Sequence, residues 1–282
     1  YLNQNTKVKS KKNIKHHYDL GNDFYKQWLD QTMTYSSAIF SEKNYNLYDA
    51  QIHKYEQIAK PMQLNENSSL LEIGCGWGGF STYIAKTYKS KVKAITISKA
   101  QFEYTSQRVK NEGLNEMVSV EMQDYRDVNR TYSNIASIEM FEAVGKEYWE
   151  TFIETIKKSL NNQGLASLQI ITICDDKALY YQKNPDFIQQ YIFPGGVLPS
   201  KTQLKKLTRD KGLLFIEEQS FKNSYAKTLN LWNYKFQKAW PNISVQQGFP
   251  LRFKKMWEYY LTYCEVGFLT GTTDVSHFIL KK

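Results

Sequence analysis

The chain has 282 residues, with 37 Lys and Arg against 28 Asp and Glu, a formal net charge of +9 and 41% hydrophobic residues. This composition excludes an intrinsically disordered chain, and at roughly 100 to 200 residues per domain it allows one large domain or two small ones. No run approaches the roughly 18 apolar residues of a membrane-spanning helix, and three widely separated cysteines, Cys75, Cys174 and Cys264, suit a reducing, cytoplasmic compartment. The four histidines, His16, His17, His53 and His277, have no metal-ligand spacing and no C-x-x-C is present, so no metal site is expected.

The first residue is Tyr1 rather than Met, which suggests a fragment or processed chain, and residues 1–15 carry five Lys and no acid, a basic arm. Residues 16–67 begin with aromatic and polar residues up to Phe40. There Phe24, Trp28 and Leu29 sit at helical spacing after a Gly21-Asn22 turn. From Ser68 short apolar runs alternate with helical patterns: Leu70–Ile73, Val92–Ile97, Val118–Val120, Ile135–Met140 and Leu165–Ile173, with the clearest helix over Glu147–Leu160. That alternation predicts a parallel sheet covered on both faces, which Leu213–Ile216 and Val275–Leu280 would extend at one edge. Between them, Thr228–Tyr263 is dense in aromatic residues. This suits helices covering an apolar ligand site, and it equally suits an ordinary helical core.

Four glycines fall within LLEIGCGWGGF, Leu70 to Phe80, where an apolar strand enters Gly74-Cys75-Gly76-Trp77-Gly78-Gly79 and a helix follows. Such a turn lets backbone approach a ligand at a helix N-terminus. The spacing G-x-G-x-G-G departs from the dinucleotide pattern G-x-G-x-x-G, and Glu72, inside the strand, fits an acid that holds the amino end of S-adenosylmethionine. Glu72 could also be a partly exposed strand residue. The second strand ends in Ile95-Thr96-Ile97-Ser98 with Gln101 beyond, where ribose-binding folds usually have an acid.

With these motifs stand HYDLGNDFY (His17–Tyr25), MTYSSAIF (Met33–Phe40), QDYRDV (Gln123–Val128), MFEAVG (Met140–Gly145), YIFPGGVLPS (Tyr191–Ser200) and SYAKTLNLW (Ser224–Trp232). In this order the chain resembles the cyclopropane-fatty-acyl-phospholipid synthases and mycolic acid cyclopropane synthases over nearly its whole length. The resemblance implies a doubly wound, mostly parallel seven-stranded α/β sheet of the Rossmann-like class I methyltransferase type. It also implies a single catalytic domain: the basic arm, residues 16–67 closing over the cofactor, a cofactor core over 68–173, and the acyl-site cover and sheet edge over 174–282. Some members carry a further N-terminal domain, absent from this chain.

The implied reaction moves the methyl of S-adenosylmethionine to a cis double bond of an acyl chain, and a base then removes a proton to close a three-membered ring. An alkene is a weak nucleophile, so the reactants must be aligned in a dry pocket whose π faces tolerate positive charge. By resemblance the base is a bound bicarbonate held by Cys75, through its backbone N–H, with Glu142, Gln169, Ile171 and Tyr225. Many members have His where this chain has Gln169, which can exchange hydrogen bonds but not charge. Cofactor contacts would be Tyr35, Ser36, Glu72, Gly74, Gly76, Thr96, Ile97, Gln101, Gln123 and Asp124, with Phe193-Pro194-Gly195-Gly196 a stiff turn in the acyl-site cover. Each has a plainer reading: Cys75 a small buried residue, Glu142 a helix-start carboxylate, His16 and His17 surface residues of the arm.

The expected substrate is a membrane phospholipid with unsaturated acyl chains, reached by transient binding to the anionic inner membrane face, where each Lys near the surface adds roughly 1 kcal/mol. No nucleic-acid module is visible, and a homodimer is possible. Competing readings are methyl transfer that leaves a methyl-branched or methylene-bearing chain, small-amine N-methylation on the same fold, and a non-catalytic lipid or cofactor binder.

Overall fold

The computed structural model describes residues 6–7, 20–41 and 46–282. His16, His17 and most of the basic arm lie outside them; Lys7 of the arm pairs with Asp127 at 2.5 Å.

Helix α1 (Asn22–Lys26) and helix α2 (Leu47–Ala59) precede the sheet, the latter capped by the Asn46 side chain, which accepts from the Asp49 N–H at 3.0 Å. Five strands then alternate with helices: β1 (Ser69–Ile73), α3 (Gly79–Tyr88), β2 (Lys91–Thr96), α4 (Lys99–Asn111), β3 (Val118–Met122), β4 (Tyr132–Ile138), α5 (Trp149–Ser159) and β5 (Leu160–Ile173). Trp149, Phe152, Ile153 and Ile156 put one apolar face of α5 against the sheet. Two helices, α6 (Asp175–Lys183) and α7 (Lys201–Asp210), lead to β6 (Leu214–Ser220); α8 (Lys222–Gln247), α9 (Leu251–Thr270) and β7 (Thr273–Lys281) complete the chain.

The seven strands run in the order β3-β2-β1-β4-β5-β7-β6, with β7 antiparallel to both neighbours and the pairs from β3 to β5 parallel. The seven-stranded sheet and its two-strand edge match the sequence expectation. Several strand boundaries differ by a few residues, and two of these have a local cause. Strand β5 starts at Leu160, which pairs with Tyr132 ahead of a register shift, rather than at Leu165. Strand β4 stops at Ile138 rather than Met140, because Glu139 takes a left-handed backbone, φ 50°.

The aromatic stretch serves both purposes the sequence left open. Trp232, Phe236 and Trp257 are fully or almost fully buried and pack edge-on against Phe24 and Trp28 of the N-terminal segment. Tyr259, Tyr260 and Tyr263 instead face a large cavity.

Candidate functional site

The order of the sheet reverses between β1 and β4, and a cavity of about 720 Å³ lies there, lined by the segments that follow the carboxyl ends of β1 to β4. In open α/β sheets this is where ligands bind. Of the site residues expected from sequence, all but Gln169 line this cavity. Gln169 is fully buried behind its wall.

At one part of the wall the glycine turn carries Gly74 (φ 83°) and Gly76 (φ 52°) in the left-handed region, where a side chain would be strained. Gly79 has a different reason: an added Cβ would lie 2.3 Å from Tyr55 Oη and 2.9 Å from the Thr32 carbonyl. Glu72, 2% exposed, accepts a hydrogen bond from Ser81 Oγ. Burial pushes its carboxyl up to about 8 against the pull of Ser81 and Lys54. A buried acid beside a glycine turn suits a cationic amino group, which would add a counter-charge to that of Lys54, so the residues fit S-adenosylmethionine. Thr96 Oγ1 donates to Gln101 Oε1 at 2.9 Å. Gln123 Nε2 donates to the Asp127 carbonyl at 2.9 Å. Burial opposes ionisation of Asp124, but a two-pronged pair with Arg126, 2.8 and 2.7 Å, holds its carboxyl below the ordinary range. From the N-terminal segment, Tyr35 Oη meets Tyr260 Oη at 2.7 Å and Ser36 Oγ accepts from Lys54 Nζ at 2.7 Å.

A second part of the wall is a carboxylate cluster centred on Glu139, which the sequence reading did not select. Glu139 Oε1 accepts from the Ser37 N–H at 2.9 Å and from Gln169 Nε2 at 2.7 Å, while Oε2 accepts from Tyr225 Oη at 2.6 Å. Gln169 Oε1 lies 3.0 Å from His277 Nε2. Since that oxygen can only accept, the Nε2 nitrogen carries a proton. Burial pushes His277 down to about 3, which leaves the ring neutral. His277 sits opposite Gln169 in the β5–β7 register. Glu142 Oε1 accepts from the Ile171 N–H at 2.5 Å, and its Oε2 has no partner among the described residues. Burial, then the neighbouring Glu139, pushes Glu142 up to about 8. Burial raises Glu139 too, opposed by Tyr225, Ser37, Gln169 and Lys54.

Lys54, fully buried, was also missed. Burial pulls its ammonium down to about 7 in spite of Glu139, Asp30 and Glu72. Glu139 had no signal of its own in the sequence, since it lies between Ile138 and Met140 in a run that reads as strand. Lys54 had none, because a lysine on a helix is normally solvated.

One expected role is corrected. The Cys75 N–H, read as a donor to bicarbonate, donates to the Ile95 carbonyl at 3.1 Å. The Ile171 N–H, the Gln169 amide and the Tyr225 hydroxyl are likewise engaged, with Glu142, Glu139 and Glu139 respectively.

A twisted parallel sheet with an antiparallel C-terminal strand pair, a glycine turn after β1 and a cavity at the switch point define a class I methyltransferase fold. The chain belongs to the mycolic acid cyclopropane synthetase family, whose profile matches residues 5–278. It is 36% identical over 254 residues to the cyclopropane-fatty-acyl-phospholipid synthase of Escherichia coli, covering 90% of this chain and 63% of that one. It is 34% identical over 279 residues to the tuberculostearic acid methyltransferase UfaA1 of Mycobacterium tuberculosis, covering 96% and 65%. The chain thus spans less than two thirds of the length of these two curated relatives. The crystal structure of mycolic acid cyclopropane synthase CmaA1 complexed with SAH and CTAB matches with a TM-score of 0.90 at 30% identity, covering 96% of this chain and 98% of that one.

Proposed function

We propose that this chain is an S-adenosylmethionine-dependent enzyme that adds a methylene group across the cis double bond of unsaturated acyl chains in membrane phospholipids, forming a cyclopropane ring. The observation that carries this reading is that one cavity joins the glycine turn and Glu72 to an apolar and aromatic wall of Ile171, Ile188, Phe193, Tyr260 and Phe268. Relatives named for cyclopropanation of fatty-acyl phospholipid and of mycolic acid, and a related structure holding SAH and CTAB together, support it.

When bound, S-adenosylmethionine supplies an electrophilic sulfonium methyl. Glu72 holds its amino end, the turn at Gly74 and Gly76 allows close backbone approach, and Tyr35 and Ser36 cover it from the N-terminal segment. The apolar wall excludes water from the double bond. Tyr225, Tyr260 and Phe193 offer π faces to the cation that forms on the acyl chain. The N–H and O–H donors assigned to bicarbonate by resemblance, on Cys75, Gln169, Ile171 and Tyr225, all have partners within the protein; only Glu142 Oε2 of that set is left without one, too little to hold that anion, and no step is routed through it.

Among the described residues no helix is long and apolar enough to cross a membrane. In this reading the lipid reaches the cavity from the bilayer surface, where the chain binds peripherally on the cytoplasmic side. Tyr259 and Tyr263, which line the cavity, are 53% and 40% exposed, and this apolar rim fits the entry of an acyl chain. The likeness to a tuberculostearic acid methyltransferase supports a second reading, a methyl-branched or methylene-bearing product.

The test is incubation with methyl-labelled S-adenosylmethionine and vesicles of cis-unsaturated phospholipid, followed by mass and proton NMR of the released fatty acids. Gain of one CH2 with ring-proton resonances is expected. Olefinic or branched-methyl resonances would favour the second reading, and absence of label in lipid would overturn both.

A further inference from the structure

We propose that Glu139 is the proton acceptor of the reaction, a carboxylate built into the chain at the place where resemblance puts a bound bicarbonate. The inference rests on the proposed function for the identity of the proton donor, but the observations are those of the cluster itself.

Glu139 lines the cavity and is half-buried, while Gln169, fully buried, stands behind it. Three donors on two oxygens fix the carboxylate, from Ser37, Gln169 and Tyr225 at 2.6 to 2.9 Å. Bound anions are held by such a donor set, and here the anion belongs to the protein. The neutral His277 turns the Gln169 amide so that its NH2 points at Glu139. A charged imidazole at position 169 would pair with a free anion; Gln169 backed by His277 serves a fixed one and adds no charge.

The backbone carries a cost for this placement. Glu139 is left-handed, φ 50°, which costs a residue with a Cβ about 1 kcal/mol or more. Its carboxylate is also partly withdrawn from water, with Lys54 acting on it as a counter-charge. A glycine would meet the turn without either penalty. Strain and a desolvated charge together at a cavity wall point to function.

The step balances as follows. The methyl carbon has bonded to one alkene carbon and the neighbouring carbon carries the positive charge. Glu139 takes a proton from the added methyl carbon. The electron pair of the broken C–H bond forms the third C–C bond and cancels the charge, so no oxidant or reductant is needed. The protonated carboxyl returns its proton to water when the product leaves and the cavity refills.

The test has two arms on the purified chain. In the first, binding of carbon-13 bicarbonate is followed by NMR in the presence of S-adenosylhomocysteine. Wild type is expected not to bind, and Glu139→Gly, which vacates the donors of Tyr225, Gln169 and Ser37, is expected to bind. Saturable, site-specific binding to wild type would overturn the proposal. In the second arm, lipid product is measured in buffer freed of carbon dioxide. Wild type is expected to keep its full rate, and Glu139→Gln to form ring product about a hundredfold more slowly or worse, in line with removal of a general base. Added bicarbonate should partly restore Glu139→Gly and leave wild type unchanged, a rescue that a merely structural residue would not give. Wild-type turnover that requires bicarbonate, or full ring formation by Glu139→Gln, would overturn the base assignment while leaving the proposed function standing. Absence of lipid product from wild type would overturn the proposed function as well.

Discussion

Replacing Glu72 with Gln should raise stability and weaken the cofactor site at once. The amide has nearly the same shape as the acid and can still accept from Ser81, so the change removes only a buried charge. Glu72 is 2% exposed and its carboxyl is pushed from 4.5 to about 8. Below about pH 4.5 the acid is protonated folded or unfolded and contributes no slope. Above it the unfolded chain gives up the proton while the folded chain keeps it to about 8, so wild-type stability falls through that window and is level beyond it. At about 1.4 kcal/mol per pH unit the fall is on the order of 5 kcal/mol. Urea denaturation at pH 5, 7 and 9 should therefore show Glu72→Gln gaining on wild type as pH rises. Titration calorimetry with S-adenosylhomocysteine should show the reverse, because a hydrogen bond from the ligand ammonium to a carboxylate contributes about 1.5 to 3 kcal/mol, roughly ten- to a hundredfold in affinity. A stability difference that does not change with pH, or unchanged affinity, would refute the reasoning.

Three further outcomes follow from the geometry. Gly79→Ala forces a Cβ to 2.3 Å from Tyr55 Oη and 2.9 Å from the Thr32 carbonyl, so its melting temperature should drop well below that of Gly113→Ala. The latter meets nothing within 4 Å and bears only the cost of φ +68°, about 1 kcal/mol. Tyr225→Phe removes the donor to Glu139 Oε2; loss of a charge-assisted hydrogen bond should move the acidic limb of the kcat/KM profile upward by about one to two pH units, measured on lipid vesicles. Trp232→Ala, at a fully buried ring, should destabilise the chain by about 3 to 5 kcal/mol in chemical denaturation, with S-adenosylhomocysteine affinity little changed.

Much of the sheet was legible because buried parallel strands are short apolar runs between turns, and the glycine turn with Glu72 announced where a ligand would sit. Glu139 was not, for a local reason: Ile138 and Met140 on either side make it look like one more strand residue, and only the left-handed backbone ends the strand there. The partnership of Gln169 with His277 lay beyond reach for a topological reason. The two are 108 positions apart and meet only because β7 runs antiparallel to β5 in one particular register. Lys54 needed the tertiary packing, since its helix, α2, carries a weakly amphipathic pattern that does not reveal which of its polar residues is buried.

The position of β7 between β5 and β6 also sets an order of events during synthesis. Among the described residues strand β6 hydrogen-bonds to no strand but β7, so it emerges from the ribosome before that partner exists. Until the segment around His277 follows, β5 has one open edge and the Gln169 amide lacks the ring that orients it. These pairings join distant parts of the chain, which makes them slow to form. The carboxylate cluster therefore assembles in the closing stage of folding, after the cofactor half of the sheet has every strand it needs.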